Sequence, residues 1–489
     1  MNDIRKLGAF ETATTIRVGM KDLWKLGALE TAAAIRARKI SALDAVGAAV
    51  DRMQAVNARV NAVTMDLSKS AIEAAFRADR AQKDGHLGGA LHGVPVTIKE
   101  NVDQKGLANT NGVKAFAEKI APEDSPVVAN LVKAGAIVIG RTNTPEFSLR
   151  WFTDNELRGR TENPWNKDVT PGGSSGGAAA SVALGIGAIA HGNDLGGSLR
   201  YPAYACGVAT IRPSLGRIPA FNPSSGEERP PSLQLMSVQG PIARSVRDVR
   251  AGLAAMSAPD HRDPWWVPAP LDGPVMPKPI KVAVTKTPAG IQCDPAVATA
   301  IDQAAAHLEA AGYAVEAIDP PHVAEIAEAW RHILNTDLRA MSHGAIREHG
   351  SQNINKVIGT YEGDVPQFDM ATYVRALADR TRLLREWNRF LEQHPLVLAP
   401  VSQVPPFPQD EDLKGPERMK QMMDEQSMLY AINFLGLPSA AVPTGLHNGV
   451  PIGVQIIGPR FREDLCLDAA QAIEDAVGIM AEKLWAQVG

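Results

Sequence analysis

Apolar residues recur at helical spacing after Ser41, where Val46, Val50 and Met53 fall on one side of a predicted helix. Ser41 and Asp44 form a capping pair at its start. A second unit opens at Ser125-Pro126, a cap followed by a first-turn proline. It stops at Gly135, before the short buried strand predicted over 136–140. The same order returns at Asp294-Pro295, with a helix to Gly312 and a strand over 313–318. Further apolar strand candidates lie at 281–285, 395–400 and 453–458. Repeated helix-then-buried-strand units predict an α/β fold: one large domain whose central sheet is covered by helices on both faces.

Pro and Gly gather at 219–241 and 258–280, and 401–420 is a further loop, each a candidate insertion or lobe boundary. Near the start, KLGAFETATTIR (6–17) and KLGALETAAAIR (25–36) match at nine of twelve positions. Two copies are not a repeat architecture. A local duplication or an upstream start codon explains them, which makes 1–20 an extension and 21–489 the main domain.

Lys and Arg number 50 and Asp and Glu 54, a net charge of −4, so no basic excess draws the chain to nucleic acid or an anionic membrane. Cys206, Cys293 and Cys466 lie too far apart for a disulfide framework or a CxxC metal site. The opening MNDIRKLGAF lacks the apolar core of a signal peptide. The apolar run 178–190 is too short to span a bilayer. A soluble, cytoplasmic protein is expected. The histidines show no HExxH or paired metal spacing.

The most unusual stretch is 171–200, PGGSSGGAAASVALGIGAIAHGNDLGGSLR, in which a predicted small-residue helix separates two Gly-Gly-Ser elements. A glycine-flanked serine can sit at a tight turn where backbone N–H groups converge on one point. A phosphate loop would need Gly-Lys-Ser/Thr at its end, and neither serine cluster has the lysine. Residues 172–176 satisfy G-x-S-x-G literally. A nucleophile elbow, however, needs a buried strand before it, and ENPWNKDVTP is not one. Close helix packing alone leaves the two matched serines unexplained.

These residues resemble the signature of the amidase signature family of serine hydrolases, GGSSGG…G-(T/S)-D-x-G-G-S-(I/L)-R-x-P. GVPVTIKENVD (93–103) resembles the family's lysine segment, and RTNTPEFSLRWFTDNELRGRTENPWN (141–166) its connecting segment. The C-terminal GLPSAAVP and GVPIGVQIIG also fit. The likeness runs from about residue 24 to the C-terminus and is strongest over 90–250. The resemblance implies a mixed central sheet and hydrolysis of a carboxamide, and by extension an ester or carbamate. It implies Ser198 as nucleophile, Ser174 as a bridging serine held by a cis peptide, and Lys99 as base. The amides of Leu195, Gly196, Gly197 and Ser198 would hold the oxyanion. Ser148, Gly172 and Gly173 would line the substrate site, with Asn193, Asp194 and Arg200 in support. No metal or organic cofactor is implied. The partner is a small-molecule amide, with a homodimer open. Asn193 departs from the usual Thr or Ser, although nylon-oligomer hydrolases of the family similarly carry His-Gly-Asn-Asp. CGVATIRPS replaces the commoner GLKPT.

The chemistry is coherent on its own terms. A serine hydroxyl needs a base, and lysine serves only when neutral, a state that burial favours. The apolar context GVPVTIK suits that state. Trp151, Phe152, Trp330 and Phe368 are candidate acyl-pocket aromatics, and 290–430 is the expected variable pocket region. His191 and Cys293 have no expected catalytic part. Two other readings stand beside the amidase. One is the glutaminase subunit of a tRNA-dependent amidotransferase, and the other an inactive binding protein on the same scaffold.

Overall fold

The computed structural model describes residues 20–366 and 368–488. Its centre is a single mixed sheet of eleven strands. In chain order these are β1 (Val63–Asp66), β2 (Pro95–Lys99), β3 (Ile137–Thr142), β4 (Ile189–Asp194), β5 (Ala209–Arg212) and β6 (Val238–Ala243). They continue as β7 (Lys281–Val284), β8 (Ala314–Ala317), β9 (Leu396–Pro400), β10 (Ser439–His447) and β11 (Val450–Ile457). Across the sheet the order is β1-β3-β2-β4-β6-β5-β10-β11-β9-β7-β8. The β2–β3, β2–β4, β7–β8 and β7–β9 pairs are parallel. The antiparallel β10–β11 hairpin joins the two halves in one sheet, and the Pro- and Gly-rich stretch 219–241 runs through helix Pro231–Met236 into buried β6 instead of separating lobes.

Strand residues alternate between two cores. Ile189 and Ala243 pack on one side, while their neighbours Ala190 and Ile242 pack on the other. Helices cover both sides, as expected for nearly continuous apolar strands.

The predicted helix starts hold, with one difference. The Ser41 hydroxyl accepts from Asp44 N–H and the Asp44 carboxylate from Ser41 N–H at the head of helix Ala42–Val56, an arrangement worth about 1 kcal/mol. Asp294 caps helix Pro295–Ala310. Ser125 occupies the cap position of helix Pro126–Lys133, but its hydroxyl donates instead to the Asp103 carbonyl (3.0 Å), tying the helix to the segment after β2. The strand over 313–318 forms as β8 at the sheet edge, where it is half-exposed and not buried. The first duplicated copy, 6–17, lies outside the described residues, and the second holds helix Ala28–Arg36.

The stretch between the two Gly-Gly-Ser elements is not one helix. Helix Gly176–Ala183 ends, Gly185 (φ 84°) and Gly187 (φ 74°) turn the chain, and β4 follows. A short strand therefore leads into Ser198, and helix Arg200–Cys206 leaves it.

Candidate active site

Lys99 ends β2, a strand buried along its whole length. Alternation puts Thr97 and Lys99 on the same face, and the Thr97 hydroxyl meets Ser181 Oγ of helix Gly176–Ala183 at 3.4 Å. Lys99 is thereby aimed at the N-terminal end of that helix. Gly177 lets that helix lie against the segments after β3 and before β1, since a Cβ there would stand 2.5 Å from the Asn143 nitrogen and 2.7 Å from the Ala62 carbonyl oxygen.

The Lys99 ammonium position is fully buried. Its Nζ lies 2.6 Å from Ser174 Oγ, 3.1 Å from Ser175 Oγ and 2.7 Å from Asn193 Oδ1. Desolvation pushes its pKa well below the usual 10.5, and the nearby Asp194 carboxylate only partly opposes this. The positive end of the helix dipole acts in the same direction as burial. The Gly173–Ser174 peptide is cis. Gly172 (φ 79°) and Gly173 do not border the cavity described below. Cβ atoms on them would stand 2.5 Å from Pro202 Cα and 2.2 Å from the Arg150 carbonyl oxygen.

Ser198 sits in the turn between β4 and helix Arg200–Cys206, where Gly197 adopts φ 102°. Asp194 organises that turn. Its carboxylate accepts from Gly197 N–H (2.8 Å), Leu199 N–H (3.2 Å), the Arg200 guanidinium (3.0 Å) and Asn433 Nδ2 (2.8 Å). Burial opposes its ionisation, but Arg200, Arg212 and Asn433 outweigh this and hold its pKa far below the usual carboxylate range. Arg200 is equally enclosed and also donates to Gln455, Asn433 and the Leu429 carbonyl. His191, buried on β4, donates or accepts at Gln239 (2.8 Å), and desolvation pushes its pKa down to about 3. It stays neutral and apart from the Lys99 contacts.

Ser198 opens on a mostly apolar cavity that Ser148, Leu195 and Gly196 also border. Trp330 and Tyr430 form one wall, with rings stacked 4.1 Å apart at 17°, and Trp151 lies 6.0 Å from Tyr430. Trp330 Nε1 donates to the Leu195 carbonyl (3.0 Å), so the wall is fixed to the serine turn. Of the four aromatics expected there, Trp151 and Trp330 border the cavity. Phe152 packs in the core against Phe407, and Phe368 stacks on His332 at 4.3 Å. Tyr361 and Tyr430 border the cavity as well, and nothing in their local sequence separates a cavity wall from ordinary core. Cys293 is buried, and its thiol pKa is pushed up to about 12 by desolvation.

The amidase family pattern matches residues 44–467. Indoleacetamide hydrolase of Bradyrhizobium diazoefficiens is 51% identical over 451 residues, covering 92% of this chain and 86% of that protein. A glutamyl-tRNA(Gln) amidotransferase chain of Moorella thermoacetica is 32% identical, covering 90% of this chain and 94% of that one. A bacterial aryl acylamidase of the amidase signature family superposes with a TM-score of 0.83 at 27% identity, covering 95% and 98%. The match spans the sheet, the two serine turns and the lysine strand together, and this chain therefore belongs to the amidase signature family as a hydrolase acting on amides.

Proposed function

We propose that this enzyme hydrolyses an arylacetamide of the indoleacetamide type through an acyl-enzyme on Ser198, releasing ammonia and an arylacetic acid. The observation that carries this reading is a desolvated lysine amine 2.6 Å from Ser174, beside an aromatic-walled cavity that opens on Ser198. Neutral Lys99 takes the Ser174 hydroxyl proton while Ser174 takes that of Ser198. Ser198 Oγ bonds to the carbonyl carbon. The resulting oxyanion faces the amides of Leu195, Gly196 and Ser198. Gly197 supplies the turn, since its own N–H is committed to Asp194. The proton returns through Ser174 to the leaving nitrogen, the C–N bond breaks, and water then resolves the ester by the same route. Esters and carbamates of the same acyl group fit the scheme, since either leaving group can take that proton.

The 51% relative supports an arylacetamide over a glutamine side chain. So does the cavity wall. Its charged residue is Arg150, which is held by Asp412 at 2.7 and 2.8 Å and by Asp410 at 3.3 Å, so it is not available for an amino-acid carboxylate. Intact Lys99, Ser174 and Ser198 speak against an inactive scaffold. We place the amidase domain at 21–489 and its acyl-pocket region at about 290–430. Helices Val323–Asp337, Gln352–Asp364 and Pro416–Glu425 bring Trp330, Tyr361 and Met423 to the cavity from there. Among the described residues no helix is long and apolar enough to cross a membrane. The three cysteines are buried free thiols, which suits the cytoplasm.

The test is ammonia release from indole-3-acetamide, phenylacetamide, acetamide and glutamine, together with fluorophosphonate labelling and mass spectrometry of the labelled peptide. The expected result is preference for the aryl amides and a label on Ser198. Turnover confined to glutamine, or undiminished labelling of Ser198→Ala, overturns the reading.

A further inference from the structure

Four side chains run in one direction away from Lys99. Lys99 Nζ donates to Asn193 Oδ1 (2.7 Å), Asn193 Nδ2 to Asn101 Oδ1 (2.9 Å), Asn101 Nδ2 to Ser148 Oγ (3.0 Å), and Ser148 Oγ–H to Asn111 Oδ1 (2.7 Å). Each amide is thus fixed in orientation by the next. Asn193 Oδ1 can only accept, and turning the amide over would set its N–H groups against protonated Lys99 and its oxygen against Asn101 Oδ1.

That orientation decides where the Lys99 lone pair points. A neutral amine has two N–H donors and one lone pair for its three neighbours. Asn193 takes one hydrogen. Ser175 takes the other, because its own hydroxyl hydrogen goes to the Asn193 carbonyl (3.3 Å). Ser174 remains as the neighbour that meets the lone pair with its O–H. When Lys99 gains a proton, all three neighbours become acceptors and no group has to move. We propose that Asn193, locked by Asn101, is a positioning residue that turns the lone pair of Lys99 onto Ser174. A hydroxyl at position 193 could donate as easily as accept and would not fix this direction. The loop carrying the far end of the chain holds a pocket-lining residue, Ser148, at φ 58° beside Phe147 at φ 55°. Both are conformations that non-glycine residues adopt only when their surroundings enforce them.

The proposal rests on Lys99 being the base, so Lys99→Ala is measured alongside; activity in that variant refutes the base assignment itself. Other titratable groups around Lys99 are Asp194 and His191 on β4, Arg200 against Asp194, and Arg141 on β3, which donates to the Lys99 carbonyl (3.5 Å). Glu100, the next residue, is bound by Arg158 (2.7 Å). These are common to all variants, so a change in the pH profile reports on position 193.

The experiment measures kcat, KM and the pH profile of kcat/KM for Asn193→Leu, Asn101→Leu, the double variant, Asn193→Thr and Asn193→Asp. Asn193→Leu should lower kcat roughly 10–100-fold with little change in KM. Asn101→Leu should do part of the same, and the double variant should be no worse than Asn193→Leu, because the two act through one bond. Asn193→Thr should recover part of the loss. Asn193→Asp should move the acid limb up by about one pH unit or more, since a carboxylate favours protonated Lys99. An inactive Lys99→Ala with Asn193→Leu within twofold of wild type, with additive Asn193 and Asn101 losses, or with an unmoved limb in a folded Asn193→Asp overturns the proposal and leaves the base assignment standing. If Asn193→Asp does not fold, the Leu double-variant cycle decides.

Discussion

Asp194 and Arg200 meet in full burial, Nε to Oδ2 at 3.0 Å, across the turn that carries Ser198. The carboxylate also holds the Gly197 and Leu199 amides, so the ion pair is the scaffold of the loop that carries Ser198. Removing one partner of a buried pair strands the other charge, at a cost of about 3–5 kcal/mol. Arg200→Met should lose that much in urea unfolding and lower labelling of Ser198 as well. A stability loss under about 1 kcal/mol would show that Asn433 and the amides suffice to hold Asp194.

Ser198→Ala, Ser174→Ala and Lys99→Ala should each lower kcat by roughly 10³-fold or more, and the triple variant should be little worse than any one. Single-turnover kinetics with indole-3-acetamide provide the check. Losses that multiply would mean that the three groups do not share one proton path.

The pH dependence follows from Lys99. Because the amine must be neutral to accept a proton, kcat/KM should rise with pH through its lowered pKa and reach a plateau below 10.5. Stability has the same sign. The folded pKa lies below the unfolded one, so between the two the unfolded chain binds the extra proton and stability rises with pH. Relative to Lys99→Met, wild type should gain as pH rises from the lowered folded pKa toward the unfolded value of about 10.4, by at most about 1.4 kcal/mol per unit. Parallel stability curves for the two proteins would contradict a depressed Lys99.

Two glycines should respond oppositely to alanine. Gly47 lies within helix Ala42–Val56 with nothing within 4 Å of a Cβ, so Gly47→Ala should add about 0.5–1 kcal/mol. Gly177→Ala would press on the backbone of Asn143 and Ala62 and should cost roughly 1–3 kcal/mol. Thermal melts of both variants settle the pair. Equal melting temperatures would show that the helix beside Lys99 has slack.

Trp330→Phe should keep a ring against Tyr430 but lose the bond to the Leu195 carbonyl. A net hydrogen bond is worth about 0.5–1.5 kcal/mol, so kcat/KM should fall roughly 3–10-fold, mainly in kcat. Trp330→Ala should also raise KM for aryl amides and not for acetamide. An equal change for both substrates would detach Trp330 from acyl recognition.

The lysine strand and the two serine turns were legible because their chemistry sits in short, unusual strings whose flanks carry as much information as the serines. β4 was not legible. The run from Ala178 to Ala190 has the composition of one small-residue helix, and only the positive φ of Gly185 and Gly187 divides it. The cavity walls were half legible. Trp151 and Trp330 stand out by size, but so do Phe152 and Phe368, and which aromatic meets a cavity depends on contacts between remote helices. Tyr430 reaches the site only because helix Ser427–Leu435 lies against helix Val323–Asp337, a tertiary fact with no local sign.

The proposed reacting groups come from the end of β2, from the turn before helix Gly176–Ala183 and from the turn after β4, whereas much of the cavity is carved by helices contributed after residue 320. The two sets are joined by polar contacts that include the Trp330 bond to Leu195, the Arg150 pair with Asp412, the Ser351 bond to Glu146 and the Arg200 bond to Asn433. On the proposed assignment, the groups that would break the bond and the helices that would choose the acyl group belong to different parts of the fold. Helices 323–337, 352–364 and 416–425 could be recast for a bulkier or slimmer acyl group while those contacts are kept, and the proton inventory around Lys99 would be unaware of the exchange.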